Sequence, residues 1–132
     1  QWFIFQSMEG SLNDLPHESL RRCRKIRECI YAMEEEIDGK WMAKATQDYI
    51  NYIIGAEDYR EKWYAHVYLN YMAFMMGGSL LKEKNPEMAW MWHFEDRSEC
   101  IKSIRNLEWA WDQVYQGFNY HRRILEELNN VE

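Results

Sequence analysis

The chain has 132 residues, 29% charged and 16% aromatic, with a formal net charge of −6 at pH 7. That length suits one domain with a real core. The acidic balance argues against general nucleic-acid binding, and no apolar run approaches the length of a membrane span.

Cys23, Cys29 and Cys100 lack CxxC spacing. They read as reduced, intracellular thiols rather than a disulfide framework or a zinc site. The sequence begins at Gln1, directly in an apolar run and with no visible signal peptide. It reads as a mature form or a fragment, with residues missing in front.

Almost everything reads as helix. Trp2, Phe3, Ile4, Phe5 and Met8 make Gln1 to Glu9 apolar nearly all round, as in a buried helix. Gly10 to Leu15 is a break. Pro16 and Glu18 suit the first turn of a second helix, in which Leu20, Cys23, Ile26, Ile30 and Met33 recur to about Ile37, with Gly39 as terminator. A third helix covers Trp41 to Ile54, with Tyr49, Ile50 and Ile53 inward and Gly55 as its stop. The fourth runs from Glu57 to Lys84, with Tyr64, Val67, Tyr68, Tyr71, Met72 and Met75 in one stripe. Asn85-Pro86-Glu87 is a restart signal, and Asp96-Arg97-Ser98-Glu99 another capped start. The last helix runs from Glu108 to Leu128, with Trp111, Val114, Tyr115, Phe118, Leu125 and Leu128 as its expected buried face. Strand-like alternation, internal repeats and sustained heptads are missing from this pattern, so the fold class is a compact all-α domain.

The fourth helix carries an anomaly. Gly77 and Gly78 sit together among methionines and leucines. Each glycine in a helix interior costs roughly 1 kcal/mol against alanine. The usual reasons are a kink, or a backbone that a flat ligand or another helix must approach closely.

Chemistry-bearing motifs are sparse. Phosphate loops, nucleophile elbows and Glu-x-x-His pairs do not occur, and His93 with Asp96 has only weak metal-ligand spacing. Glu34-Glu35-Glu36 reads as a solvated face. Arg21, Arg22, Arg24, Lys25 and Arg27 form a basic cluster. It reads either as a solvated helix face or as a patch for an acidic partner or an RNA backbone. His66 reads as a core histidine. His121, between Phe118 and Leu125, reads as a satisfied, partly buried histidine ahead of a metal or heme ligand.

Tyr64 to Glu83 resembles the distal helix of heme oxygenases. That family carries Ala-His-x-Tyr, then Arg-Tyr-Leu-Gly-Asp-x-Ser-Gly-Gly. Ala65-His66-Val67-Tyr68 matches the first element, and Tyr71, Gly77, Gly78, Leu81 and Lys82 match the second in register. Ala45 to Ile50, the Leu15-Pro16 and Leu20 to Ile30 segments, Phe118 with Leu125 to Leu128, and Trp2 to Glu9 resemble further segments in order. The resemblance covers nearly the whole chain, and it implies a heme-oxygenase-like bundle with a glycine-kinked distal helix. Heme would lie between that helix and a proximal helix that carries the axial histidine. The ancestral pocket positions are then Tyr68, Phe74, Gly77, Gly78, Phe118 and His121, with Lys102 and Arg105 as propionate partners or, equally, surface charges.

The chain departs from the family at the catalytic points. The proximal helix and its histidine would fall before Gln1. The family's distal aspartate falls on Phe74, its arginine on Asn70, its glycine before the aspartate on Ala73, its serine on Met76 and its network tyrosine on Phe5. Phenylalanine holds no ordered water. Phe74 and Met76 are expected to fill the ligand's place, each contributing roughly 1.5–3 kcal/mol by burial.

The leading expectation is therefore one domain over residues 1–132 that has lost catalysis. It would work as a structural or interaction module, a subunit or accessory of a larger protein assembly, with no cofactor. The alternative is a heme oxygenase, or an altered heme enzyme with peroxidase-like chemistry, of which this is the C-terminal part. A third reading is another flat or apolar ligand lined by Phe118 and His121. The family's settings make the compartment intracellular, with mitochondrion or plastid in play.

Overall fold

A computed structural model describes residues 1–11 and 13–130, apart from the side chain of Trp41. The described residues form six α-helices and three 3-10 segments, with no strand among them. The helices are α1 (Trp2–Glu9), α2 (Cys23–Ala32), α3 (Lys44–Gly55), α4 (Arg60–Lys84), α5 (Arg97–Arg105) and α6 (Trp111–Asn129). The 3-10 segments are Glu18–Leu20, Gly39–Trp41 and Pro86–Trp92. The expected break over residues 10–15 contains Leu12, which lies outside the described residues.

α4 is the centre of the bundle. Between Trp63 and Tyr71 it is buried nearly all round, with Trp63, Ala65, His66, Val67 and Tyr71 inaccessible to solvent. α6 and the Pro86–Trp92 segment pack against it, α3 packs on α6, and α1 packs on α3 and α2. Two helix starts lack a cap side chain of their own. Carboxylates from distant helices serve instead. Glu9 accepts the Arg22 and Cys23 amides at 2.9 and 3.2 Å, and Glu127 accepts those of Lys44 and Ala45 at 2.6 and 2.9 Å. Each satisfies first-turn donors that would otherwise stay unpaired.

α2 stops at Ala32, five residues before the expected Ile37. Glu34 adopts a left-handed backbone, φ 61°, which turns the acidic run out of the helix. Pro16 stays outside any helix. Asp96 does precede α5, but in a left-handed conformation and without a side-chain cap bond.

The basic cluster is not one face. Arg22 is fully buried. Its guanidinium donates to the carbonyls of Leu20, Met91, His93 and Ser19 at 2.9, 3.1, 2.6 and 2.7 Å, and lies 3.5 Å from the centroid of the Phe94 ring. Burial lowers its pKa to about 10, so it stays charged at neutral pH. Arg21 and Arg24 pair locally with Glu18 and Glu28, and Lys25 donates to the His93 carbonyl. Arg22 therefore leaves the patch proposed from sequence and becomes the tie between residues 19–22 and the 3-10 segment. Its replacement by Met removes the donor from four carbonyls, of which only that of His93 keeps another, Lys25, so Arg22→Met should lower the unfolding free energy by about 3 kcal/mol or more, read from urea denaturation.

α4 runs as helix without interruption through Gly77 and Gly78. The two glycines differ. Gly77 faces open space, whereas a Cβ on Gly78 would stand 3.0 Å from Cδ1 of Trp92. The close neighbour at Gly78 is thus a side chain of the 3-10 segment. Met76 is 46% exposed and fills no pocket, contrary to expectation.

The glycine with the tightest surroundings is Gly117, in the middle of α6. A Cβ there would overlap Cδ2 of Leu69 and stand 3.1 Å from the Tyr49 hydroxyl. Only a bare backbone lets α6 approach α4 at this point. That contact fixes the rotation of α6. Gln113, Val114 and Gly117 face inward, with Tyr120, His121 and Ile124 partly covered. Of the expected inward face only Val114 is buried. Trp111 is 74% exposed and Tyr115 68%, and Phe118, Leu125 and Leu128 are also more than half exposed. Denaturation midpoints should separate the three glycines. Gly77→Ala should raise stability by up to about 1 kcal/mol. Gly78→Ala should give no gain, and Gly117→Ala should lose about 1–3 kcal/mol through overpacking.

Candidate functional site

A cavity of about 650 Å³ opens beside α4, bounded by α1, the end of α2, residues 36–38, the 3-10 segment over 86–92 and α6. Its floor comes from one face of α4, from the end of the buried stretch onward: Leu69, Asn70, Ala73, Phe74 and Leu81. Trp2, Phe3, Ile26, Ile30, Met88, Met91 and Trp92 add apolar wall. Phe74 is held in place by Phe5, ring centroids 5.0 Å apart, and Phe5 in turn packs on Tyr71 at 4.8 Å. So Phe74 forms part of the floor and leaves the cavity open.

Three of the residues named from sequence meet here: Phe74, Phe118 and His121 all line the cavity. The others lie elsewhere. Tyr68 stacks on Trp109 with centroids 4.3 Å apart. Neither Gly77 nor Gly78 reaches the wall, and Lys102 and Arg105 stand exposed on α5. The charged side chains of the wall are Glu36 and Asp38, and no Lys or Arg is among the described lining residues. Sequence reasoning treated the run at Glu34 to Glu36 as plain solvated surface. Its place at the cavity rim depends on the left-handed turn at Glu34, which no residue pattern announces.

Behind His121 a line of buried polar groups crosses from α6 through α4 to α3. Asn70 Nδ2 donates to the His66 carbonyl and to the Tyr49 hydroxyl, both at 2.8 Å. A backbone carbonyl can only accept, so the amide orientation is fixed and Oδ1 faces His121. His121 Nε2 must then donate to it, at 2.7 Å. Tyr49, already accepting from Asn70, gives its own hydrogen to His66 Nδ1 at 2.9 Å. His66 Nε2 therefore carries a proton toward Gln113 Oε1, 3.3 Å away, which also accepts from Tyr52 at 2.9 Å. One carbonyl sets the direction of the whole line.

Burial explains the titration behaviour. It lowers His66 to about 4 and pushes the Tyr49 phenol up. His121 is lowered too, by burial first and then by the positive amino group of Gln1. Both imidazoles are neutral at pH 7, in the tautomers the network requires.

The described residues contain no cluster of three or more His, Cys, Asp or Glu placed to hold a metal ion. His17 accepts the Ser19 amide and His93 stacks on Trp90. All three cysteines are buried and unbridged. No helix is long and apolar enough to cross a membrane among the described residues. Compared with protein-family models, with curated proteins and with solved structures, the chain matches none.

The buried His66 makes stability pH-dependent. The unfolded chain takes a proton on this residue near 6.5, the folded chain only near 4. Stability present above pH 6.5 is therefore lost as pH falls, and the loss levels off below 4. It amounts to roughly 3 kcal/mol. Urea midpoints at pH 7 and pH 4.5 should show this loss in the native chain and a smaller one in His66→Gln.

Proposed function

We propose that this chain is a heme-oxygenase-like helical module that does no heme chemistry and serves as a subunit or accessory of a larger protein assembly. The observation that carries the assembly role is the outer face of α6. Trp111, Tyr115, Phe118, Leu125 and Leu128 lie along one 19-residue helix, each more than half exposed. Contiguous apolar surface beyond a few hundred Å² is rare on a protein that works alone, and Trp, Tyr and Phe are the residues that interfaces favour.

The family reading is supported by sequence register: both quoted elements lie on the single helix α4. The loss of heme chemistry is supported by the cavity wall. Heme carries two carboxylates, and they would meet the carboxylates of Glu36 and Asp38 with no Lys or Arg side chain on the described wall to pair with them. Like charges in a partly desolvated site repel. Phe5 and Phe74 offer no hydrogen bond to water or bound oxygen at the positions where the family uses polar groups. The residues present do not fit heme.

Two measurements test the reading. Purified protein titrated with hemin should give no Soret band of a histidine complex and, with reductant, no biliverdin; either signal overturns the non-catalytic half. A tagged chain expressed in the cell that makes it should elute in a particle larger than itself. Trp111→Glu with Tyr115→Glu should abolish that co-elution while changing stability by under about 0.5 kcal/mol, as exposed sites do. A native chain that elutes alone overturns the assembly half.

A further inference from the structure

The cavity and His121 carry a second reading that does not rest on the assembly role: the two surfaces share Phe118 at their edge, but His121 belongs to the cavity and Trp111 and Tyr115 only to the outer face of α6. His121 Nε2 is committed to Asn70. Its other nitrogen, Nδ1, must therefore hold a lone pair. It has no hydrogen-bond partner among the described residues, and His121 lines the cavity. The indole N–H groups of Trp2 and Trp92, on the same wall, are sealed from solvent and offer a ligand nothing in this arrangement. The amide of Asn70 is consumed by His66, Tyr49 and His121. The side-chain network thus leaves the cavity a mainly apolar container, with His121 Nδ1 as the one acceptor that the network orients, and Gln1, Glu36 and Asp38 as the polar residues around it.

We infer that the cavity binds a flat, largely apolar small molecule that is uncharged and carries one O–H or N–H donor, which bonds to His121 Nδ1. The volume is in the range of ordinary ligand sites, which are mostly apolar with a few polar groups that fix orientation. Phe74 and Phe118 supply aromatic surface for a flat body. A matching donor is required because a lone pair covered by an apolar group loses its water without compensation. Glu36 and Asp38 select against an anion.

Three probes of one shape separate these elements: 1-hydroxypyrene, 1-methoxypyrene and 1-pyrenecarboxylate, followed by pyrene emission on titration with the full chain. Hydroxypyrene should bind about three- to tenfold more tightly than methoxypyrene, the range of one net hydrogen bond. Pyrenecarboxylate should bind weakest. His121→Phe should bring the first two affinities together. Phe118→Ala should weaken both and keep their ratio. The Nδ1 resonance of His121 in the native chain should move with hydroxypyrene and stay with methoxypyrene, a readout that holds even if His121→Phe fails to fold. No binding, equal affinities in the native chain, a preference that survives in folded His121→Phe, or carboxylate binding tightest would each overturn the inference. None of these outcomes touches the elution test of the assembly role.

Discussion

The missing side chain of Gly117 sets the terms for the rest of the molecule. It lets α6 rest against Leu69 and Tyr49, at the point where α3, α4 and α6 converge. With that contact made, Gln113 falls beside His66 and Tyr52, and His121 beside Asn70. A buried polar group without a partner is costly, and here each meets one through a single consistent set of donors and acceptors. Such a set discriminates between rotations of a helix in a way that apolar packing alone does not. The same rotation sends Trp111, Tyr115 and Phe118 outward and presents His121 to the cavity.

Charge is used here to fasten segments rather than to decorate surfaces. Arg22 reaches four carbonyls from two separate stretches of chain, and Glu9 and Glu127 act as caps for helices they do not belong to. Glu9 also accepts the Tyr71 hydroxyl at 2.9 Å, so one carboxylate links α1, α2 and α4. These contacts hold the walls of the cavity at fixed distances while leaving its interior apolar.

Much of the fold was legible in the sequence. The helix class, the inward Tyr49, Ile50 and Ile53, and the restart at Pro86 follow from spacing and turn chemistry, and the structure has them. The face of α6 was not legible, because that helix is apolar on two sides and periodicity cannot say which side meets the core. Aromatic size favoured Trp111 and Phe118. The small Gly117 decided otherwise, through a close approach that only tertiary structure reveals. Arg22 misled for a related reason, since a cation among other cations reads as surface until its carbonyl partners, some seventy residues away, are in place. Of the site, Phe74, Phe118 and His121 were legible through resemblance. Asn70 was noticed only as a departure from the family, although its amide orients His121.

The tie between Glu127 and the start of α3 joins two points 82 and 83 residues apart in the chain. Together with the seat of α6 against α4, it makes α6 a closing element rather than an appendage. Local contacts form early and long-range ones late in folding, because the loop between them must first be closed. As the ribosome releases this chain, the niche around Leu69, Tyr49 and His66 stays uncovered until α6 emerges. Folding intermediates with open apolar and polar niches of this kind are the species on which chaperones act. The residue without a side chain at position 117 thereby governs when that niche closes.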